Sequence, residues 1–191
     1  MIRNTLLTAA LLATAACNTM GTTDASGSSS LAANPMVGGS EMLTTRNIVE
    51  NAVNSADHTT LVAAVKAAGL VDTLSGAGPF TVFAPTNDAF GKLPAGTVES
   101  LVEPANKAAL TNILTYHVVP GRILASDIEA SAATNNGVAT LATVQGGQLS
   151  FRKSGAGYVV TDAKGGSANI TIANVIQSNG VIHVIDSVLM P

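Results

Sequence analysis

The sequence predicts an α+β fold: an N-terminal wrap of short helices packed on a mixed β-sheet formed mostly by the C-terminal half. Three observations carry this reading. Up to Tyr116 the apolar residues recur every three or four positions, the spacing of amphipathic helices. From Val138 onward they alternate in short runs, and Gly146-Gly147, Gly155-Ala156-Gly157 and Ser178-Asn179-Gly180 punctuate those runs as hairpin turns do. A single strand-like run, Phe80–Ala84, stands among the helices, so it must be recruited into the later sheet.

In chain order, Ile48, Val49, Ala52 and Val53 set a first helix over Asn47–Asn54, and Ser55–His58 turns the chain. Thr60 is the expected cap of a second helix, Leu61–Ala68, which Gly69 ends. Leu70–Leu74 reads as a third helical turn. Gly78-Pro79 opens the Phe80–Ala84 strand and Pro85 closes it, since proline cannot donate to a central ladder. Phe83 lies on the face opposite Phe80, so both faces of this strand should be covered. Thr86 stands at a helix N-cap with Asn87 and Asp88 behind it, and the helix carries Ala89, Phe90 and Leu93 as far as Pro94. Ala95–Val102 is a further short helix, and Pro104 opens one that runs to Tyr116. His117–Leu124 is extended, with a bend at Pro120-Gly121, and Ser126 caps a turn through Asp127 and Ile128. Strands follow at Val138–Leu141, Gln148–Lys153, Tyr158–Asp162, Asn169–Ile176 and Val181–Leu189.

Length allows one domain plus a leader. Trp is absent and only 3% of residues are aromatic, so the core must be Val, Ile, Leu and Ala. The same scarcity argues against base-stacking and carbohydrate-stacking faces. With net charge −3 and no basic cluster, nucleic acid is excluded as an expected partner. One cysteine rules out a disulfide within the chain.

The leader begins Met1-Ile2-Arg3 and continues in an apolar run from Leu6 to Ala16, short of the ~20 residues a membrane-spanning helix needs. Ala13-Thr14-Ala15-Ala16-Cys17 resembles a bacterial lipobox, with Thr14 in the place of the usual leucine. The resemblance implies cleavage before Cys17 and lipidation there, with enough acyl chains for stable anchoring. Asn18 follows, with no aspartate to hold the protein at the inner membrane, so the expected location is the cell envelope as an outer-membrane lipoprotein, and otherwise secreted or periplasmic. Ser, Thr, Gly and Ala dominate residues 18–40, the composition of a flexible linker. The expected organisation is a signal peptide over 1–16, a lipidated linker over 17–43 and a folded domain over 44–190.

Three runs carry a further resemblance. Thr81-Val82-Phe83-Ala84-Pro85-Thr86-Asn87-Asp88-Ala89-Phe90, then Leu114-Thr115-Tyr116-His117 through Gly121, then Asn179-Gly180-Val181-Ile182-His183 through Pro191 resemble, in order, the signatures of the fasciclin (FAS1) family. The resemblance implies a single FAS1-like domain and a non-enzymatic adhesion or interaction role, binding a surface or matrix protein or glycan. It marks Tyr116, His117, Asn179, Gly180 and His183 as motif residues open to partner contact. Phe83, Ala84, Pro85, Thr86, Asn87 and Phe90 form its structural signature. In the animal members' integrin-associated motif, which falls here on Ile172–Ile176, Asn174 replaces an aspartate, so integrin binding carries over poorly.

The residues themselves offer little chemistry. No histidine pair has zinc spacing, no serine sits in a G-x-S-x-G elbow, and no glycine run matches a phosphate loop. Asp162 and Asp186 are the nearest thing to a carboxylate pair, a coincidence expected among twelve acidic residues. No enzyme, cofactor or metal is expected. His117 and His183 lie in apolar runs, where a core imidazole with a local partner is the default. The alternative is a small-ligand carrier or hydrolase using a cleft near His117 and His183.

Overall fold

A computed structural model describes residues 34–94, 96–155 and 157–191. The expected signal peptide, Cys17 and most of the expected linker lie outside those residues. The described chain does not begin at Thr44, however. Strands β1 (Met36–Val37) and β2 (Ser40–Glu41) form a small hairpin, and Val37 and Met42 are buried in the core. Composition alone assigns this stretch to the linker, and the structure corrects that assignment. Two well-placed apolar side chains and a Gly38-Gly39 turn dock it, with Ala56 N–H donating to the Gly38 carbonyl at 3.2 Å.

The helical wrap consists of α1 (Ile48–Asn54), α2 (Thr59–Ala68) and α3 (Val71–Ser75). Asn47 caps α1 through a full capping box with Glu50. Helix α2 starts two residues earlier than expected, and Thr60 is not its cap. Asn87 fills that role from a distance, its Oδ1 accepting from Thr60 N at 3.0 Å. Gly69 ends α2 in the left-handed region at φ 73°.

Strand β3 (Phe80–Pro85) leads through Thr86 into α4 (Asn87–Gly91), with Thr86 Oγ1 accepting from Ala89 N at 3.3 Å. Helices α5 (Thr97–Val102) and α6 (Lys107–Tyr116) follow, and Pro104 opens a 3-10 turn between them. After β4 (Val118–Pro120) comes α7, which runs over Ala125–Thr134 rather than making a single turn at Ser126. Its only buried side chains are Ile128 and Ala132, too thin a stripe to announce ten helical residues in the sequence.

The remaining strands are β5 (Val138–Ala142), β6 (Gln148–Ser154), β7 (Gly157–Thr161), β8 (Ser167–Gln177) and β9 (Gly180–Ile185). They form one seven-stranded sheet in the order β4-β3-β9-β8-β7-β6-β5. Only β3 and β9 pair in parallel, with Phe83 opposite His183; every other pair is antiparallel, so the sheet is mixed. Irregularities in β8 at Ile170–Val175 bend it. Val144 N–H then donates to the Val118 carbonyl at 2.8 Å, drawing the two edges together so the sheet nearly closes.

Recruitment of β3 into the C-terminal sheet divides the interior in two. Val82 and Ala84 face the helices, with Leu61, Val65, Leu74, Leu110 and Leu114. Phe83 points the other way, to Tyr116, Phe151, Val160, Ile185 and Leu189 inside the curved sheet. Both faces of this strand are covered, as its alternation predicts.

Candidate functional site

The motif residues converge where α6, β3, β9 and the last residues of the chain meet. Tyr116 ends α6 and is fully buried, with its hydroxyl donating to the Gln148 carbonyl at 2.8 Å and accepting from Ala163 N at 3.0 Å. Gly147 lies against its ring, where a Cβ would come within 2.5 Å of Cε2. Burial raises the phenol pKa, and the Ala163 N–H bond opposes the rise.

His117 is 2% exposed. Its Nδ1–H donates to the Ile113 carbonyl at 2.8 Å, which leaves Nε2 as acceptor for Leu189 N–H at 3.0 Å. Burial lowers its pKa to about 4, against the Ile113 bond and the Asp162 charge, so the ring is neutral at pH 7. His183 is fully buried and stacks on Phe83, with ring centroids 5.4 Å apart. Its Nε2–H donates to the Ile123 carbonyl at 3.0 Å and Nδ1 accepts from Asn174 N at 3.4 Å; burial lowers its pKa too.

Asn179 ties three segments. Its Oδ1 accepts from Ile48 N at 3.0 Å at the start of α1, and its Nδ2 donates to the carbonyls of Leu74 and Gly76 at 2.8 and 2.9 Å. Gly180 is buried against Phe80, whose carbonyl a Cβ would strike. Phe83, Ala84, Pro85 and Phe90 are buried, and Asn87 bridges α4 to α2 with its Nδ2 donating to the Ala56 carbonyl at 2.8 Å. All of these motif side chains spend their polar atoms inside the fold, and neither Tyr116 nor His117 presents its side chain to solvent.

Several functional-looking positions were not singled out from sequence. Asn51 is completely buried in α1 and exchanges hydrogen bonds with Leu43, donating also to Gln177. Its signal was available, because it stands on the apolar face three residues after Ile48. Thr81 donates to the Gly121 carbonyl at 2.7 Å and accepts from Ile123 N at 2.9 Å. His58 is buried with its Nδ1 2.9 Å from Ser55 Oγ, and burial lowers its pKa against the Ala84 carbonyl and Asp57. Asn174 explains its own presence: it adopts φ 60°, where asparagine is tolerated, and its Oδ1 accepts from Ala125 N at 2.8 Å at the start of α7. Asp162 and Asp186 do not form a pair. Asp162 holds its own turn and Met190 N, whereas Asp186 accepts from Asn169.

Between the helical wrap and the sheet lie two apolar cavities of about 30 and 20 Å³, separated by Ile48, Ala52, Leu61 and Val82, which line both. Each has room for one or two water-sized bodies, far short of the 300–1,000 Å³ typical of a cofactor or substrate pocket. Hollows of 280 and 440 Å³ beside α5 are open to solvent. Among the described residues no group of three His, Cys, Asp or Glu side chains could hold a metal, and no helix is long and apolar enough to cross a membrane.

Comparison with known proteins agrees with this architecture. The fasciclin domain model matches residues 56–191. Protein sll1483 of Synechocystis sp. is 52% identical over 145 residues, covering 75% of this chain and 73% of that one. Cell surface glycolipoprotein MPB83 of Mycobacterium bovis is 39% identical over 122 residues, 64% of this chain and 48% of that one. The FAS1 domain pair of the insect cell adhesion molecule Fasciclin I superposes with a TM-score of 0.69 at 20% identity, over 76% of this chain and 51% of that one, and shares the fold. This chain therefore spans about half the length of the last two. On the family match and the 52% identity to a relative covered over 73% of its length, the chain belongs to the fasciclin domain family.

Proposed function

We propose that this protein is a non-enzymatic interaction module of the cell envelope, held by a lipid on Cys17 and presenting one fasciclin domain to a surface or matrix protein or glycan. The observation that carries this is the internal use of the motif: Tyr116, His117, Asn179 and His183 all direct their polar atoms into the scaffold. That leaves the outer surface to do the work, and the motif serves contact by fixing its shape. Two relatives support the reading, one named as a cell surface glycolipoprotein and one drawn from a cell adhesion molecule. Among the described residues Met36, Val53 and Val144 are the exposed large apolar side chains, so few large apolar groups reach the available surface. Such a surface suits a reversible, wet contact better than a permanent apolar interface.

Cross-linking on intact cells, followed by identification of captured proteins and glycans, tests this. Specific capture that persists in the full chain and falls when Cys17→Ser releases the protein from the membrane fraction is the expected outcome. A deletion strain with unchanged attachment and no captured envelope or matrix component contradicts it. The carrier or hydrolase alternative has no comparable support, because the interior cavities are small and both histidines are bonded locally.

A further inference from the structure

The last five residues of the sequence, Ser187–Pro191, leave the sheet after β9 yet are not loose. Leu189 is fully buried in the inner core. Its backbone N–H donates to His117 Nε2 at 3.0 Å, and the next one, Met190 N–H, donates to Asp162 Oδ2 at 3.0 Å. Two consecutive amides of this strap are thus held by side-chain acceptors, one from the end of α6 and one from the turn after β7. Among the described residues, no backbone carbonyl accepts from the amides of residues 187–191. The strap is therefore seated by Leu189 in the inner core, by Val188 against the helix-side core, by Lys92 Nζ donating to Ser187 Oγ at 3.3 Å and by the two side-chain grips on its amides.

The His117 grip works in only one protonation state. Nδ1 keeps its hydrogen because it donates to the Ile113 carbonyl, so an added proton must go to Nε2. There it removes the acceptor and sets N–H against the Leu189 N–H. We propose that Ser187–Pro191 is an acid-releasable strap, in which protonation of His117 at Nε2 frees the Leu189 amide, lifts Leu189 from its seat and opens the inner core while the sheet stays folded. The groups facing His117 are few. Asp162 favours the charged ring through space, the Tyr116 hydroxyl is already bonded to Gln148 and Ala163, and Lys66 shares the wall of the larger cavity. The segments of β3 and β4 against it contribute Val82, Phe83 and Val118, which do not titrate.

The size of the effect follows from linkage. A ring held at about 4 when seated and restored to 6.5 when the strap opens makes opening about 20-fold more frequent at pH 5 than at pH 7, and about 120-fold at pH 4. Amide hydrogen exchange on the full chain, corrected for the intrinsic pH dependence of exchange, reads this directly. The expected result is that protection at Leu189 and Met190 falls by those factors between pH 7 and pH 4, while Val82 and Ile182 in β3 and β9 stay protected. His117→Gln, which offers a carbonyl acceptor at every pH, should flatten the Leu189 profile. The inference is overturned if Leu189 keeps full protection at pH 4, or if it loses protection only together with Val82 and Ile182. The wild-type profile decides the matter even if the variant does not fold.

Discussion

The two cores share β3 yet are held together by different physics. The helix-side core is mostly aliphatic, joining helices of five to ten residues to one face of β3, β8 and β9 with Phe90 among them, and it leaves two small voids along Ile48, Ala52, Leu61 and Val82. The core inside the curved sheet carries Phe83, Tyr116, Phe151 and His183, with Phe83 and Phe151 centroids 5.1 Å apart. Its polar atoms are bonded to distant backbone at Gln148, Ala163, Ile123 and Leu189. Apolar packing fills space without choosing partners, whereas a buried donor or acceptor must meet one particular group. The inner core therefore fixes where the long-range segments go, and the helical wrap adds bulk burial.

The largest expected difference lies in truncation. Phe83→Ala removes a ring that stacks on His183 and packs at a tilt against Phe151, and should cost about 3–5 kcal/mol in urea unfolding. Leu61→Ala should fall near the lower end of the aliphatic range, about 2 kcal/mol, because its surroundings are already loosely filled. Equal losses for the two would remove the distinction between the cores.

Acid should act next in size. Above 6.5 His117 is neutral in both folded and unfolded chains, and its contribution is fully present. As the pH falls through 6.5 toward about 4, the unfolded chain gains the proton and the folded chain does not, so stability drops by about 3 kcal/mol over that window. His183 and His58 have pKa values lowered by burial as well and act in the same direction. Denaturation midpoints from pH 7 to pH 4 check this, and a flat profile would contradict it. Replacing His117 with Gln should make the decline shallower.

Enlarging a small residue should give opposite signs in the two cores. Ala52 borders both voids, so Ala52→Val should stabilise by about 0.5–1 kcal/mol. Ala139 is fully buried in the inner core, so Ala139→Val should destabilise by about 1–3 kcal/mol. Thermal melts of the pair are sufficient, and the same sign in both would show that the voids close at no cost.

How much of this was legible in the sequence divides along the same line. Local signals were readable: the cap at Thr86, the stop at Gly69, the two-sided burial of Phe80–Ala84 and the α+β order all follow from residue type and spacing. What stayed hidden depends on partners far along the chain. Asn87 caps α2 from 27 residues away, and Asn179 accepts the first amide of α1, at Ile48, from 131. No local pattern contains such a pairing. The hairpin at Met36–Glu41 was hidden for a related reason, since Val37 and Met42 sit in a stretch whose composition is that of a linker. The apolar run around His117 predicts a core imidazole with a hydrogen-bond partner, but neither it nor the resemblance reveals that Tyr116 holds Gln148 and His117 holds Leu189.

The smallest effect belongs on the outside of the inner core, where a charge cluster joins α7 to the sheet. Glu129 accepts from both Lys153 and the Tyr158 hydroxyl, and these contacts hold the carboxyl pKa down and the lysine pKa up. Lys153 and Glu129 are nevertheless more than half exposed, so water and salt screen the pair and its ordering costs side-chain entropy. Lys153→Met should leave the melting temperature unchanged within error at physiological salt. If it lowers the melting temperature by as much as Phe83→Ala, then α7 is held by charge rather than by Ile128 and Ala132, and the inner core does not end where its apolar side chains do.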